Sequence, residues 1–467
     1  MITKTTKPEA VTYNMLQPYL PADETILAYF NGRESLTNED IANILSTVIT
    51  VIRERESGNY YVYNREGFYE PLPDWLLRGI LKYVLTVAGI EWNSKTENQI
   101  ITLFDRVSVT GIREFNAENA LNLKNGVLQL DSGELREHKP ESGYFTSVLS
   151  YEYNKDAECP VFREFMEQIT CGDGELETVL QEILGYALST KVDAEMAFFF
   201  YGGGCNGKSV LSTVIHSLIG EENTCAVPLE AFSGTFSLQP FIGKKLNISG
   251  ENGTIVNAEK LKSLISADVV NVPIKYKEDW VGKLLTKHIF LMNSLPTTPD
   301  ITHGFMRKIL IIPFNYQVEP ANMDKSLPSK LKAELSGILN YCLEGYQRLR
   351  KNGFVFTTSK TIEMVKREYM DRENPTMYFF HDTFEKSEDG RVRKSRIYQL
   401  YEDWCHENGY IPLSNVKFYN ALNIKANEPH SDINLNIRQI KGIKYLCGYV
   451  EKAKIVTLID TQELETG

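Results

Sequence analysis

Residues Tyr201–Val210 read Tyr-Gly-Gly-Gly-Cys-Asn-Gly-Lys-Ser-Val. Gly202, Gly207, Lys208 and Ser209 fit the G-x-x-x-x-G-K-[ST] spacing of a phosphate-binding loop. The chemistry of such a loop is anion capture. Glycines lack a Cβ, so backbone N–H groups can close around phosphate oxygens. A helix starting at the loop adds the positive end of its dipole. Lys208 reaches the β- and γ-phosphates, and Ser209 can ligate Mg²⁺. The candidate nucleotide contacts are therefore Gly202, Gly203, Gly204, Cys205, Asn206, Gly207, Lys208, Ser209 and Val210, with ATP and Mg²⁺ as the expected ligands.

Hydrolysis needs more than binding. Leu246–Ser249 reads as a buried strand that runs through Gly250 into Glu251. A carboxylate there can hold Mg²⁺ or polarise the attacking water, and Glu251 has no acidic neighbour to share those jobs. The alternative is an exposed Glu after a buried strand. His288–Met292 is a second apolar strand, and it ends in Asn293, whose amide could orient water or touch the γ-phosphate; Asn-Ser also makes ordinary turns. Arg307 precedes a third strand and could stabilise the transferring phosphoryl group of a neighbouring subunit; alone, it reads equally as a surface Arg.

The elements around these residues follow from periodicity. Ala197–Tyr201 is a short apolar run of strand type. Val210, Leu211, Val214, Ile215, Leu218 and Ile219 recur at helical spacing. With strands at Glu195–Tyr201, Leu246–Ser249, Lys287–Met292 and Lys308–Pro313, a sheet covered by helices is the economical arrangement. Upstream, helices are expected at Asn38–Arg55 and Pro73–Ala88, and a strand at Tyr60–Tyr63. Leu121–Leu135 reads as two strands joined at Asp-Ser-Gly, followed by helices at Phe165–Thr170 and Leu176–Leu188. Downstream, Leu331–Arg350 reads as one helix. Ser395–Asn408 and Ser414–Leu422 read as a helix pair ahead of alternating strands at Ile433–Ile459. Lys386–Arg396, just before the pair, carries five Lys/Arg. Helix–turn–helix followed by a β-wing is a DNA-reading arrangement.

At 467 residues the chain exceeds one core. The expected division is 1–115, an N-terminal α+β domain; 116–190, an upstream domain; 191–320, the phosphate-loop motor; 321–358, a helical connector; and 359–467, a winged-helix-like domain. Net charge is −11, so any nucleic-acid site must be a local basic surface on an acidic whole. No apolar run approaches a membrane span, and the polar first residues carry no signal-peptide core. Seven scattered Cys without ligand spacing indicate reduced thiols and a cytoplasmic protein.

Taken together, the motifs resemble the superfamily 3 (AAA+) helicases of the poxvirus and phage helicase-primase type, and the self-loading replication initiators of phage-related mobile elements. The resemblance is carried by Asn125-Gly126-Val127, Tyr151-x-Tyr153 with Ala157-x-Cys159-Pro160, the phosphate loop, Phe241-Ile-Gly-Lys-Lys-Leu, Gly250-Glu251, Leu261-Lys-Ser-Leu with Asp268, Asn293-Ser-Leu-Pro, and Arg307 six residues before Pro313-Phe314. Tyr398–Asn408 and Lys417-Phe418 extend it into the tail. It implies an α/β fold with a central AAA+ P-loop ATPase, mixed α+β N-terminal domains and a C-terminal winged-helix-like domain. It also implies a homo-hexameric ring moving 3′→5′ on single-stranded DNA. ATP would sit between subunits, with Lys208, Ser209, Glu251 and Asn293 on one side and Arg307 from the next. A channel hairpin matches Val270–Lys283; Lys275, Lys277 and Lys283 are its candidate phosphate contacts, and Tyr276 or Trp280 its stacking residue. The alternative there is a solvated hairpin with ordinary lysines. Relatives often carry two arginines where this chain has Met306-Arg307. No paired-carboxylate triad lies in 1–115, so primase activity is not expected.

The function expected is an ATP-dependent DNA helicase acting as a replication initiator, with the C-terminal domain reading the origin duplex. Two other classes compete: an origin-binding protein whose nucleotide site only controls assembly, and a nucleotide-driven protein remodeller.

Overall fold

The computed structural model describes residues 13–33, 35–55, 58–107, 110–112, 115–250, 257–275, 278–296, 303–319, 323–373, 376–408, 410, 412–427 and 433–452. The fold is mixed α/β with several separate sheets. The chain divides into two compact units, Met1–Pro296 with Phe305–Ile362, and Thr297–Gly304 with Glu363–Gly467.

In the first unit, the central sheet is parallel throughout and has five strands. Ile309–Pro313, Ala197–Tyr201, Lys287–Met292, Leu246–Ser249 and Thr224–Cys225 lie side by side in that order. Helices cover parallel strands on both faces, so their sequences are continuous apolar runs rather than alternating ones. Phe198, Phe199 and Phe200 are accordingly buried in succession, as are Ile309, Leu310, Ile311 and Ile312. The expected strands stand, except that Thr224–Cys225 is too short to leave a sequence signal.

One hydrophobic core runs from Leu121 through the motor strands to Ile362, across the boundaries expected near 190 and 320. Helices Gly174–Leu188 and Leu335–Lys351 cross closely because two glycines face backbone: a Cβ on Gly185 would meet Cys342 O at 2.4 Å, and one on Gly345 would meet Gln181 O at 2.2 Å. Glu182, 1% exposed, is held in that crossing by Arg348 Nε at 2.8 Å and by the Thr357 N–H and hydroxyl at 2.8 and 2.6 Å. The single helix expected at Leu331–Arg350 is instead two, Leu327–Ala333 and Leu335–Lys351. At the break, the Glu334 carboxylate accepts the Val161 and Phe162 N–H groups at 3.1 and 2.9 Å, capping helix Pro160–Ile169.

The N-terminal residues have their own core, from Leu16 to Phe104. The helix expected over Asn38–Arg55 ends at Val48, and Val51–Glu54 is a strand paired with Tyr60–Asn64 and Thr110–Ile112. Val51 and Ile52 are β-branched and gain more from sheet pairing than from another helical turn. The segment at 120–136 has three strands, not two: Ala120–Leu123, Gly126–Gln129 and Leu135–Arg136. Asp-Ser-Gly joins the last two, and Lys124-Asn125 makes the first turn.

In the second unit the order is helix Thr376–Thr383, strand Phe384–Arg393, helices Lys394–Glu407 and Asn415–Ala426, then strands Ile437–Ile440 and Ile443–Glu451. The last strand lies between the other two, antiparallel to both. Lys441 (φ 47) and Gly442 (φ 80) make the tight turn of the final hairpin. Phe379, Tyr401, Phe418 and Leu446 form the core, with the Tyr401 and Phe418 rings stacked at 4.3 Å.

Candidate nucleotide site

The loop leaves the carboxyl end of strand Ala197–Tyr201 and enters helix Lys208–Ile219. Gly207 is the N-cap, at φ 87. A Cβ there would also stand 2.5 Å from Ile169 Cγ2 and 3.3 Å from Phe165. Gly202 is confined differently: a Cβ would meet Phe314 O at 2.4 Å. Gly203 and Gly204 face open space, with nothing within 4 Å of an added Cβ. The loop is thus pinned at both glycine ends and open between them, where phosphate oxygens need access.

Asn206 acts as a strut. Its Nδ2 donates to Phe314 O at 3.1 Å, and its Oδ1 accepts from Lys208 Nζ at 3.0 Å. The Val318 N–H also ties the loop, donating to Cys205 O at 2.8 Å. Lys208, 6% exposed, folds back to donate to Gly202 O at 2.6 Å and Gly203 O at 2.9 Å. Its acceptors are all neutral oxygens, and burial holds its pKa below the ordinary lysine value. A buried ammonium with no carboxylate partner among the described residues is a site for an incoming anion. Ser209 is exposed in the first turn of the helix. Among the described residues no cluster of three His, Cys, Asp or Glu could hold a metal. A hydrated Mg²⁺ shared with phosphates and Ser209 fits that donor set better than a protein cage.

Asn293 is exposed immediately after strand Lys287–Met292. Met292 pairs with Tyr201, and the Gly202 N–H donates to Met292 O at 3.1 Å, so Asn293 and the loop share one edge of the sheet. Strand Leu246–Ser249 ends at that edge too, with Ser249 opposite Phe290. Glu251 lies outside the described residues, as do Tyr276 and Lys277. Arg307 is exposed at the other edge, two residues before Ile309, which pairs with Ala197. Five strand residues separate that edge from the loop, roughly 16 Å and more than an arginine side chain spans. The structure therefore brings Lys208, Ser209 and Asn293 together and keeps Arg307 apart.

The expected hairpin is present directly before strand Lys287–Met292: Val269–Val272 pairs with Trp280–Lys283, setting Val269 opposite Lys283. Val270 and Val272 face inward. Val269 and Val281 are exposed (64% and 65%), beside exposed Lys283. Lys275 is exposed in the turn. Trp280 is half-buried and lies across Gly282, whose added Cβ would be 2.6 Å from the indole. The sequence reading missed the walls of the site, Ile169, Phe165 and the Phe314 carbonyl; the restriction at Gly207 was the only signal for them.

Residues 200–307 match a family described as "Family of unknown function (DUF5906)". Residues 73–171 match "D5 N terminal like", and residues 371–453 match "Poxvirus D5 protein-like". The chain is 24% identical over 290 residues to "Putative helicase L207/L206" of Acanthamoeba polyphaga mimivirus, a match covering 55% of this chain and 30% of that relative. Two apo structures of the NrS-1 C terminal region overlay on it with TM-scores of 0.49 and 0.48; each is 12% identical and covers 89% of this chain and 100% of its own. No helix among the described residues is long and apolar enough to cross a membrane. D5-type family models match on both sides of the phosphate loop and a mimivirus putative helicase matches across 290 residues, so the chain is similar to the phage- and poxvirus-type helicase-primases.

Proposed function

We propose that this chain is an ATP-dependent DNA helicase whose motor is an AAA+ domain assembled as a ring, six-membered by resemblance, translocating 3′→5′ on single-stranded DNA as the replication initiator of a phage or mobile element. One observation carries the reading. The phosphate loop and Asn293 stand at the carboxyl edge of the parallel sheet, and Arg307 stands at the opposite edge. Ligands of open parallel sheets bind outside the carboxyl ends of the strands. Arg307 can then serve only a nucleotide on a neighbouring copy. Head-to-tail contacts of that kind close into rings when the rotation between neighbours closes, and the ring reading takes that case.

In this mechanism, loop N–H groups and Lys208 take the β- and γ-phosphates, with Lys208 exchanging carbonyl acceptors for phosphate oxygens. Ser209 and Glu251 would hold Mg²⁺, and the ion would supply positive charge against that developing on the transferring phosphoryl group. Asn293 orients the attacking water, and the neighbour's Arg307 stabilises the spread charge. Three residues separate the hairpin strand ending at Lys283 from strand Lys287–Met292, which leads into Asn293, so displacement at the γ-phosphate has a short path along the chain to the proposed DNA contacts Lys275, Tyr276, Lys277 and Lys283. The helix order and final hairpin of the second unit support a winged-helix reading, with helix Asn415–Ala426 presented to DNA. DNA-stimulated ATP hydrolysis together with unwinding of a forked substrate, both abolished by Lys208→Ala, is the test. Nucleotide-dependent duplex binding without turnover would replace the motor with an assembly-controlled origin binder.

A further inference from the structure

The second unit contains a cleft of about 560 Å³ lined by Arg391, Arg393, Ser395, Arg396, Gln399 and Glu451. We propose that this cleft is a phosphodiester-binding site that grips the DNA backbone, separate from the helix that faces the bases. The inference rests on the reading of this unit as a DNA-binding module.

The cleft is built by the local fold. Strand Phe384–Arg393 shifts register against Ile443–Glu451 between Lys386 and Arg391. At that bulge Gly390 presses on backbone, since a Cβ there would lie 2.4 Å from Tyr449 O. A bulge re-aims the residues that follow it. Arg391 and Arg393 then stand two apart on one strand face, about 7 Å from each other. Both are exposed, and among the described residues neither guanidinium has a hydrogen-bond or ion-pair partner. Helix Lys394–Glu407 starts beside them with no acidic residue in its first turn, so its N-terminal N–H groups and Ser395 add to the same positive field. Arg396 meets Glu451 at 3.3 and 3.5 Å, long contacts that a phosphate can replace.

Three guanidiniums against one carboxylate, on a chain of net charge −11, is a concentration of like charge that an anion relieves. The helix expected to read bases cannot supply that grip. Among the residues whose side chains are described, its exposed positions are Asn415, Val416, Lys417, Asn420, Asn423 and Ile424, and the whole helix carries only two lysines, Lys417 and Lys425, in its sequence. Phosphate contacts fix register while base contacts specify, so a base-reading helix this poor in charge needs a separate anchor on the backbone.

The test is fluorescence anisotropy of the full chain with a labelled duplex across a salt series. For Arg391→Ala/Arg393→Ala the affinity falls at least about tenfold at low salt, and the log–log salt slope shrinks by about two. Glu451→Gln tightens binding. Because that variant gains affinity, it keeps the test decisive if the double alanine variant does not fold. Inorganic phosphate and ADP serve as competitors in a Lys208→Ala background. Competition at millimolar inorganic phosphate, absent from the double variant, assigns the cleft to free phosphate groups and overturns the DNA anchor. Unchanged affinity and slope in both Arg391→Ala/Arg393→Ala and Glu451→Gln also overturn it. If Lys417→Ala/Asn420→Ala still weakens binding in that case, the DNA-module reading survives without the cleft. If that variant is silent too, the module reading falls with it.

Discussion

Mixing two dead variants tests the shared site most directly. Lys208→Ala removes the phosphate-side ammonium but leaves Arg307; Arg307→Ala does the reverse. Loss of an arginine finger lowers turnover by about 10³–10⁵, so each pure variant should be silent. The sheet puts these residues at opposite edges, roughly 16 Å or more apart, so in the proposed ring each active site takes one from each of two neighbours. In a random one-to-one mixture, a competent interface needs an Arg307→Ala subunit followed by a Lys208→Ala subunit. That arrangement occurs at about a quarter of interfaces whatever the ring size, so steady-state ATPase should recover to about a quarter of wild type when sites fire independently and to less when firing is sequential. The assay is phosphate release after co-refolding or subunit exchange, with each variant alone as control. A mixture as silent as its components means that both residues serve the same protomer's nucleotide, and an Arg307→Ala variant that hydrolyses ATP on its own means that Arg307 has no catalytic part; the shared-site argument fails in either case.

Gly207→Ala should cost about 2–4 kcal/mol, from a strained positive φ and from overpacking against Ile169 and Phe165; thermal unfolding and nucleotide titration check it, and an unchanged Tm with intact ATP binding refutes the wall assigned to those residues. Lys283→Ala should lower the ratio of DNA-stimulated to DNA-free ATPase and the unwinding rate, and an unaltered ratio removes Lys283 from the DNA path. Lys245, just before strand Leu246–Ser249, and Lys287, at the start of the neighbouring strand, are buried and donate to the Ala120 and Ser189 carbonyls, and burial pushes their pKa values down to about 8 and about 7. The unfolded chain therefore binds more protons between about pH 7 and 10.5, and this pair makes stability rise with pH across that window, with the full penalty below about pH 7. Lys287→Met should flatten the rise and add stability near neutral pH on the order of a few kcal/mol, seen as a higher Tm; a parallel pH profile in both proteins shows that the lysine enters the core without cost.

Much of the motor was legible because its signals are local. A glycine and lysine spacing, apolar runs bounded by turns, and helical periodicity each depend on neighbours within about ten residues. The same holds for the hairpin before Asn293 and for the helix pair ahead of the last strands. The expectations that failed involve competition between nearby states. Val51–Glu54 left its helix for a sheet partner near residue 110, and Leu331–Arg350 broke where Glu334 was recruited to cap Pro160–Ile169. No local pattern announces a partner 172 or 173 residues away.

By itself, the sequence determined the strand–loop–helix pattern at 202–209 on which the proposed phosphate binding rests, because that pattern resides in residue types at fixed short spacing. Tertiary structure alone decided which sheet edge each group occupies: Asn293 beside the loop, Arg307 beyond its reach, and three arginines gathered by a bulge into one cleft. Strand order and register set those positions, and they come from packing between segments that the chain brings together only when it folds.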